Sequence, residues 1–146
     1  MPSAPAADLT IIERELRILS RRVRTFSQEL ARSVHPDLDP AVYALLVDLS
    51  ECGPARAADL AEDRNVTKGV VSRQVRVLEE LGLVERRPDA SDARAHTLAL
   101  SAAGRSAVRR SQQRRRQELR RLLAACSDAE LAAMAAAFAR FNALAE

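Results

Sequence analysis

The sequence has no tryptophan, one tyrosine and three phenylalanines, and only 3% of it is aromatic. Four glycines in 146 residues leave no room for a Gly-rich phosphate loop, and an Ala-rich, Gly-poor chain is biased toward helix. Two cysteines, Cys52 and Cys126, cannot make a disulfide scaffold and point to a reducing compartment, the cytoplasm. No apolar run approaches the ~18–20 residues that a membrane span needs. The opening MPSAPAADL has neither the basic start nor the apolar stretch of a secretory signal. His35 and His96 stand far apart with no ligand-spaced neighbours, so no zinc pattern exists and no metal or cofactor is expected. No nucleophile–base arrangement is visible either, and an enzyme is not expected.

Lysine is nearly missing too: Lys68 is the only one among 23 basic residues. The formal net charge is +3 and the pI about 9.5, which permits an anionic partner without demanding one. The charge is unevenly placed. Residues 95–121 hold eight Arg against one Glu, whereas residues 56–94 hold eight basic and eight acidic groups. Contacts to nucleic acid from 56–94 would therefore need charge sorted onto faces. A chain of this length is expected to form one domain, burying roughly two-thirds of its unfolded surface.

The apolar pattern is mainly helical. Thr10-Ile11-Ile12-Glu13 has the form of a capping box, with a frayed arm expected before about Ala7. Ile12, Leu16, Leu19, Val23, Phe26 and Leu30 then recur every three or four residues, a narrow heptad-type seam. A second capping box, Ser127-Asp128-Ala129-Glu130, precedes Leu131, Met134, Phe138, Phe141 and Ala145 in the same rhythm. Each seam suits either its own core or a subunit interface, and a thin stripe at each terminus favours the interface. The two helices can pack within one subunit or interleave across a two-fold axis.

Between them, Asp39-Pro40 reads as N-cap and first residue of an apolar helix ended by Gly53-Pro54. A short helix from Ala57 to about Asp63 is anchored by Leu60. Asn65 suits a left-handed turn, and Thr67 caps a helix that runs to Leu81 and stops at Gly82. Residues 83–87 and 95–100 read as two strands around a polar tip, and Ser101 opens a helix to about Ala125. Helix, tight turn, helix and hairpin is the order of a winged helix-turn-helix, mainly α with a small β-hairpin wing.

In helix 67–81, Val71, Val75 and Leu78 share one arc. Gly69, Ser72, Arg73, Arg76 and Glu80 share the other. That polar arc suits a major groove: Gly69 permits close approach, Arg73 reaches a guanine edge or a phosphate, and Thr67 and Lys68 lie where the helix start meets phosphate. Arg94 at the tip of the hairpin suits a minor groove. Asp92 is expected to brace the loop by pairing with Arg86 or Arg87 at its base.

Residues 66–105, VTKGVVSRQVRVLEELGLVERRPDASDARAHTLALSAAGR, resemble the MarR family of bacterial winged-helix regulators. The shared marks are the recognition helix, the LEELGLVERR exit into the wing, Asp-x-Arg at 92–94, and the Leu-x-Leu-Ser-x-x-Gly step at 98–104. The resemblance implies a homodimer, with Ile12, Leu16, Leu19, Leu131, Met134, Phe138 and Phe141 in the interface. It also implies recognition helices in major grooves and wings in the flanking minor grooves of a pseudo-palindromic double-stranded operator. The implied layout is one domain over 1–146: dimerisation helices 8–35 and 127–146, a DNA-binding lobe 40–100, and a connecting helix 101–126. Arg64 stands where an apolar residue is usual and Asn65 where Gly is common. Arg64 is therefore either an extra phosphate contact or an internal ion pair.

The connecting helix carries arginine all round, with no apolar face from Ser111 to Glu118, which argues against membrane binding. It suits a strut that draws in DNA or lines a cavity for an anionic small-molecule effector. Cys52 and Cys126 read as small buried residues rather than redox sensors. Two rivals to a DNA-binding repressor are a winged-helix protein-interaction module and a small-molecule binding protein using an inter-lobe cavity.

Overall fold

In a computed structural model, which describes residues 6–92 and 94–144, Thr10 lies inside the first helix rather than at its start. Helix α1 spans Ala6–Val34, so the expected capping box at Thr10 is overturned: Asp8 already supplies an acid to the first turn, where it faces the positive end of the helix dipole. The expected frayed arm before Ala7, and Ala145 in the second seam, fall largely or wholly outside the described residues. The order continues with α2 (Pro40–Cys52), α3 (Ala57–Asp63), α4 (Lys68–Glu80), β1 (Val84–Pro88), β2 (His96–Leu100), α5 (Ala102–Leu122) and α6 (Asp128–Ala143). The fold is mainly helical with one antiparallel hairpin, as expected.

The contacts divide the chain after Ser111 into two units. The first is built on α2. Asp39 caps it by accepting from the Ala41 N–H at 2.7 Å, and Leu45 and Leu46 are fully buried. Truncating either to Ala would cost about 2–5 kcal/mol at such a site. Around α2 gather Leu30 of α1, Leu60 of α3, Val71, Val75 and Leu78 of α4, Leu98 and Leu100 of β2, and Val108 of α5. Buried Tyr43 donates to Ser111 at 3.0 Å, and Ser111 donates to the Val108 carbonyl at 2.9 Å, so both buried hydroxyls are satisfied. The α1 seam is split by this core: Leu30 lies in it and Phe26 packs beside it, while Ile12, Leu16, Leu19 and Val23 are exposed.

The hairpin pairs Val84 with Leu100 through to Pro88 with His96. A third segment joins its edge. Ala55 and Leu98 exchange both backbone hydrogen bonds, at 3.1 and 2.8 Å, which the sequence reading missed because a single bridge has no periodicity. Gly104 brings α5 against the loop before β1: a Cβ there would lie 2.0 Å from the Leu83 carbonyl oxygen.

The second unit, from Gln112 onward, holds the rest of α5 and α6. Helix α5 ends at Leu122 rather than near Ala125; the Cys126 N–H turns back to the Leu123 carbonyl instead, and neither cysteine is buried as expected: Cys126 is half-buried and Cys52, at the end of α2, is exposed. The capping box at α6 is present in full: Ser127 accepts from the Glu130 N–H and Glu130 accepts from the Ser127 N–H at 2.8 Å. The Ser127 N–H, and then the Ser127 hydroxyl, both donating to it at 2.8 Å, hold the Glu130 carboxyl below its usual pKa. Met134, Phe138 and Phe141 are exposed, and Leu131 is half-buried.

Candidate nucleic-acid interface

Helices α3 and α4 meet through Arg64, Asn65, Val66 and Thr67. Asn65 takes φ 51°, the left-handed region that asparagine tolerates. The Val66 N–H returns to the Ala61 carbonyl at 3.0 Å, closing the turn. Thr67 then caps α4 through its side chain, which accepts from the Val70 N–H at 3.3 Å. Leu81 closes the other end, followed by Gly82 at φ 68°. Val71, Val75 and Leu78 face the core, so Thr67, Lys68, Gly69, Ser72, Arg73 and Arg76 are left on the exposed side. A Cβ at Gly69 would touch only the Thr67 side chain, at an ordinary 3.9 Å. The fold itself therefore does not need glycine there, although glycine inside a helix costs about 1 kcal/mol relative to alanine.

The charges sort by pairing. Among the described residues, five of the eight cations in 56–94 are bound to carboxylates: Arg56 to Asp89, Arg64 to Asp48, Arg76 to Glu80, Arg86 to Glu79 and Arg87 to Glu85. The side chains of Lys68, Arg73 and Arg94 have no such partner among the described residues. All three are exposed. A segment neutral by composition thus keeps three uncommitted cations, two on α4 and one on the wing.

The wing is braced differently from expectation. Asp92 pairs with neither Arg86 nor Arg87; it accepts from the Arg94 N–H at 3.0 Å. Arg86 turns to Glu79 of α4 at 2.7 Å. Arg87 turns to Glu85 two positions back on the same strand face, at 2.6 Å. Asp89 takes the bracing role. It accepts from Arg56 Nε, Ser91 N–H and Ser91 Oγ, each at 2.7 Å, and from the Asp92 N–H at 3.2 Å. The Arg56 bond, then the Ser91 bonds, hold the Asp89 carboxyl far below the usual carboxylate range. Asp89 in turn raises the Arg56 pKa. The Asp-x-Ser turn was a readable signal. Its cationic partner, 33 residues away at the start of α3, was not.

Arg64 is an internal pair. It bonds Asp48 of α2 and donates to the Ala41 carbonyl at 3.3 Å.

The model of the MarR family matches residues 38–96. The chain is 33% identical over 102 residues to the uncharacterized HTH-type transcriptional regulator YxaD of Bacillus subtilis (strain 168), covering 70% of each protein. The chain belongs to the MarR family. Two solved structures share the fold of this MarR-family regulator. One is a MarR family protein from Bacillus stearothermophilus, with a TM-score of 0.85 and 18% identity over 96% of each chain. The other is FabT of Streptococcus pneumoniae, solved in complex with DNA, with a TM-score of 0.82 and 19% identity, covering 93% of this chain and 96% of FabT. The match over 38–96 places the helix-turn-helix and most of the wing of this MarR-family chain inside the region that defines the family. Among the described residues, no helix is long and apolar enough to cross a membrane.

Proposed function

We propose that this MarR-family regulator is a cytoplasmic homodimer that binds a pseudo-palindromic operator in double-stranded DNA as a ligand-responsive repressor. The observation that carries the reading is the sorting of charge: Lys68, Arg73 and Arg94 are exposed and have no carboxylate partner among the described residues, while their basic neighbours pair with carboxylates. In this reading α4 enters the major groove with Thr67, Lys68, Gly69, Ser72 and Arg73, and Arg94 enters the minor groove. Arg76 takes part less, being drawn toward Glu80 at 3.0 Å. The FabT complex with DNA is a precedent for the fold, and the exposed glycine at 69 suits a close partner.

In this reading α1 and α6 are the dimerisation helices, residues 40–100 the DNA-reading lobe and α5 the connecting helix. Exposed apolar seams on α1 and α6 support that division. Half-sites would lie about one helical turn apart, ~34–36 Å. A small ligand would act by favouring a dimer in which the two α4 helices are wrongly spaced. The test is a footprint of the purified protein on the DNA upstream of its own gene, with affinity measured against salt. A protected palindrome with steep salt dependence is expected. Binding of a protein partner, with no DNA protection at low salt, would overturn it.

A further inference from the structure

Three arginines line one cleft within the first unit. Arg87 of β1 and Arg105 and Arg109 of α5 line a cavity of about 300 Å³, whose apolar wall includes Leu49 of α2, Pro54, and Leu100 of β2. That volume is at the lower end for small-ligand sites. Among the described residues, no carboxylate and no imidazole line it. Arg105 donates Nη1 to the Leu100 carbonyl at 2.8 Å, which fixes the guanidinium and leaves its charge uncompensated. Arg87 is held by Glu85 at 2.6 Å. Arg109 has no partner among the described residues.

Three cations with one carboxylate behind them leave a surplus of about two positive charges. A carboxylate ligand would offset half of that. A phosphate monoester carries about −1.5 to −2 near pH 7 and offers three acceptor oxygens, which guanidinium forks match in geometry. The apolar wall would receive the organic part of such an ester. We propose that this cleft binds a small phosphate monoester, with its phosphoryl group among Arg87, Arg105 and Arg109 and its organic body on Leu49, Pro54 and Leu100. The site deepens the ligand-responsive part of the function proposed above. Since Arg87 is on the first strand of the wing, a ligand that draws it toward α5 bears directly on wing position.

The test is calorimetric titration of the full chain with phenyl phosphate at fixed ionic strength and without DNA, so it can fail independently of the DNA-binding reading. Saturable single-site binding is expected, at least tenfold tighter than for benzoate or inorganic phosphate. Arg109→Glu should weaken it at least tenfold and Arg109→Gln severalfold. Arg110→Glu, the same change at a neighbouring position outside the cleft, should leave it unaltered. The groups facing the phosphoryl are the three arginines with Glu85 behind them. Helix α2, strand β2 and the Pro54 loop present no titratable group to it. The ligand's second ionisation, near ~6, therefore sets the pH dependence, with binding about fourfold tighter at pH 7.5 than at pH 5.5.

Several results would overturn the proposal: no saturable heat, undiminished binding in Arg109→Glu, or benzoate or inorganic phosphate binding as tightly as phenyl phosphate. Competitive displacement of phenyl phosphate by duplex DNA, together with loss of DNA affinity in Arg109→Glu, would assign the cleft to a backbone phosphate instead.

Discussion

Arg64 and Asp48, sixteen residues apart, are joined as an ion pair between the helix-turn-helix turn and α2. The arginine side chain is only 19% exposed, and its second amino group holds the Ala41 carbonyl at 3.3 Å. The pair thus fixes the turn to two points on α2, the helix at the centre of the core, and Arg64 is drawn inward rather than toward a phosphate. Replacing Arg64 by Met should cost about 1 kcal/mol of stability, an amount discounted for the partly exposed carboxylate. It should leave the slope of log affinity against log salt unchanged in DNA titrations. A slope reduced by about 1 would make Arg64 a phosphate contact after all.

Asp89 holds the wing through four donors, so Asp89→Asn should loosen it. Operator affinity is expected to fall severalfold with little change in melting temperature, and hydrogen exchange at the Ser91 amide should quicken. The sign of the pH effect follows from the depressed pKa. The Asp89 contribution is fully present above the unfolded carboxylate value near ~3.9 and is lost as pH falls toward the lower folded value. Ser91 protection should therefore stay flat from pH 8 to 5 and decline only in stronger acid. Loss of protection near pH 6 would remove Asp89 from this role.

Arg94→Ala should weaken operator binding by ~1–3 kcal/mol while the dimer persists in sedimentation. Arg73→Ala should weaken it comparably and also relax base preference in a mutated-operator panel. Uniform weakening across all sequences would make Arg73 a phosphate contact. Undiminished binding by Arg94→Ala would take the wing out of the interface.

Two glycines should respond in opposite ways. Gly104→Ala would press a methyl against the Leu83 carbonyl, 2.0 Å from its oxygen. That oxygen already accepts from the Ser101 N–H at 3.0 Å, so it is poorly placed to move. A loss of about 2 kcal/mol is expected, in the range of overpacking, read as a lower denaturation midpoint. Gly69→Ala has room, 3.9 Å from its nearest neighbour. It should raise stability by about 0.5–1 kcal/mol through helix propensity and weaken DNA binding. If Gly69→Ala binds operator normally, close backbone approach is not what that glycine serves.

Leu16 and Phe138 are 36% and 47% exposed, each within a row of exposed apolar side chains along its helix, and such patches mark interaction surfaces. If α1 and α6 build the dimer, Leu16→Glu and Phe138→Glu should each convert it to monomer in analytical ultracentrifugation, with the first unit still folded by circular dichroism. Unaltered dimers in both variants would place the interface elsewhere.

The apolar rhythm around 71, 75 and 78, the caps at Asp39, Thr67 and Ser127, and Asn65 in its turn were all legible in the chain. These features depend on φ preferences and on hydrogen bonds that span only a few residues. Local chemistry alone also separated the buried arc of α4 from its polar arc. It went wrong at Thr10, where the cap pattern occurs inside a longer helix that the preceding residues already sustain.

What only the tertiary structure decided is which charges are spent. Sequence spacing set Asp92 beside Arg86 or Arg87 as the bracing pair. Folding gave Arg86 to Glu79 and Arg87 to Glu85, and brought Arg56 from the start of α3 to Asp89. An ion pair needs its groups within a few ångströms, and for long-range partners that distance exists only after the core has closed around α2. The residues therefore named the cations, and the fold determined that Lys68, Arg73 and Arg94 were the ones left over.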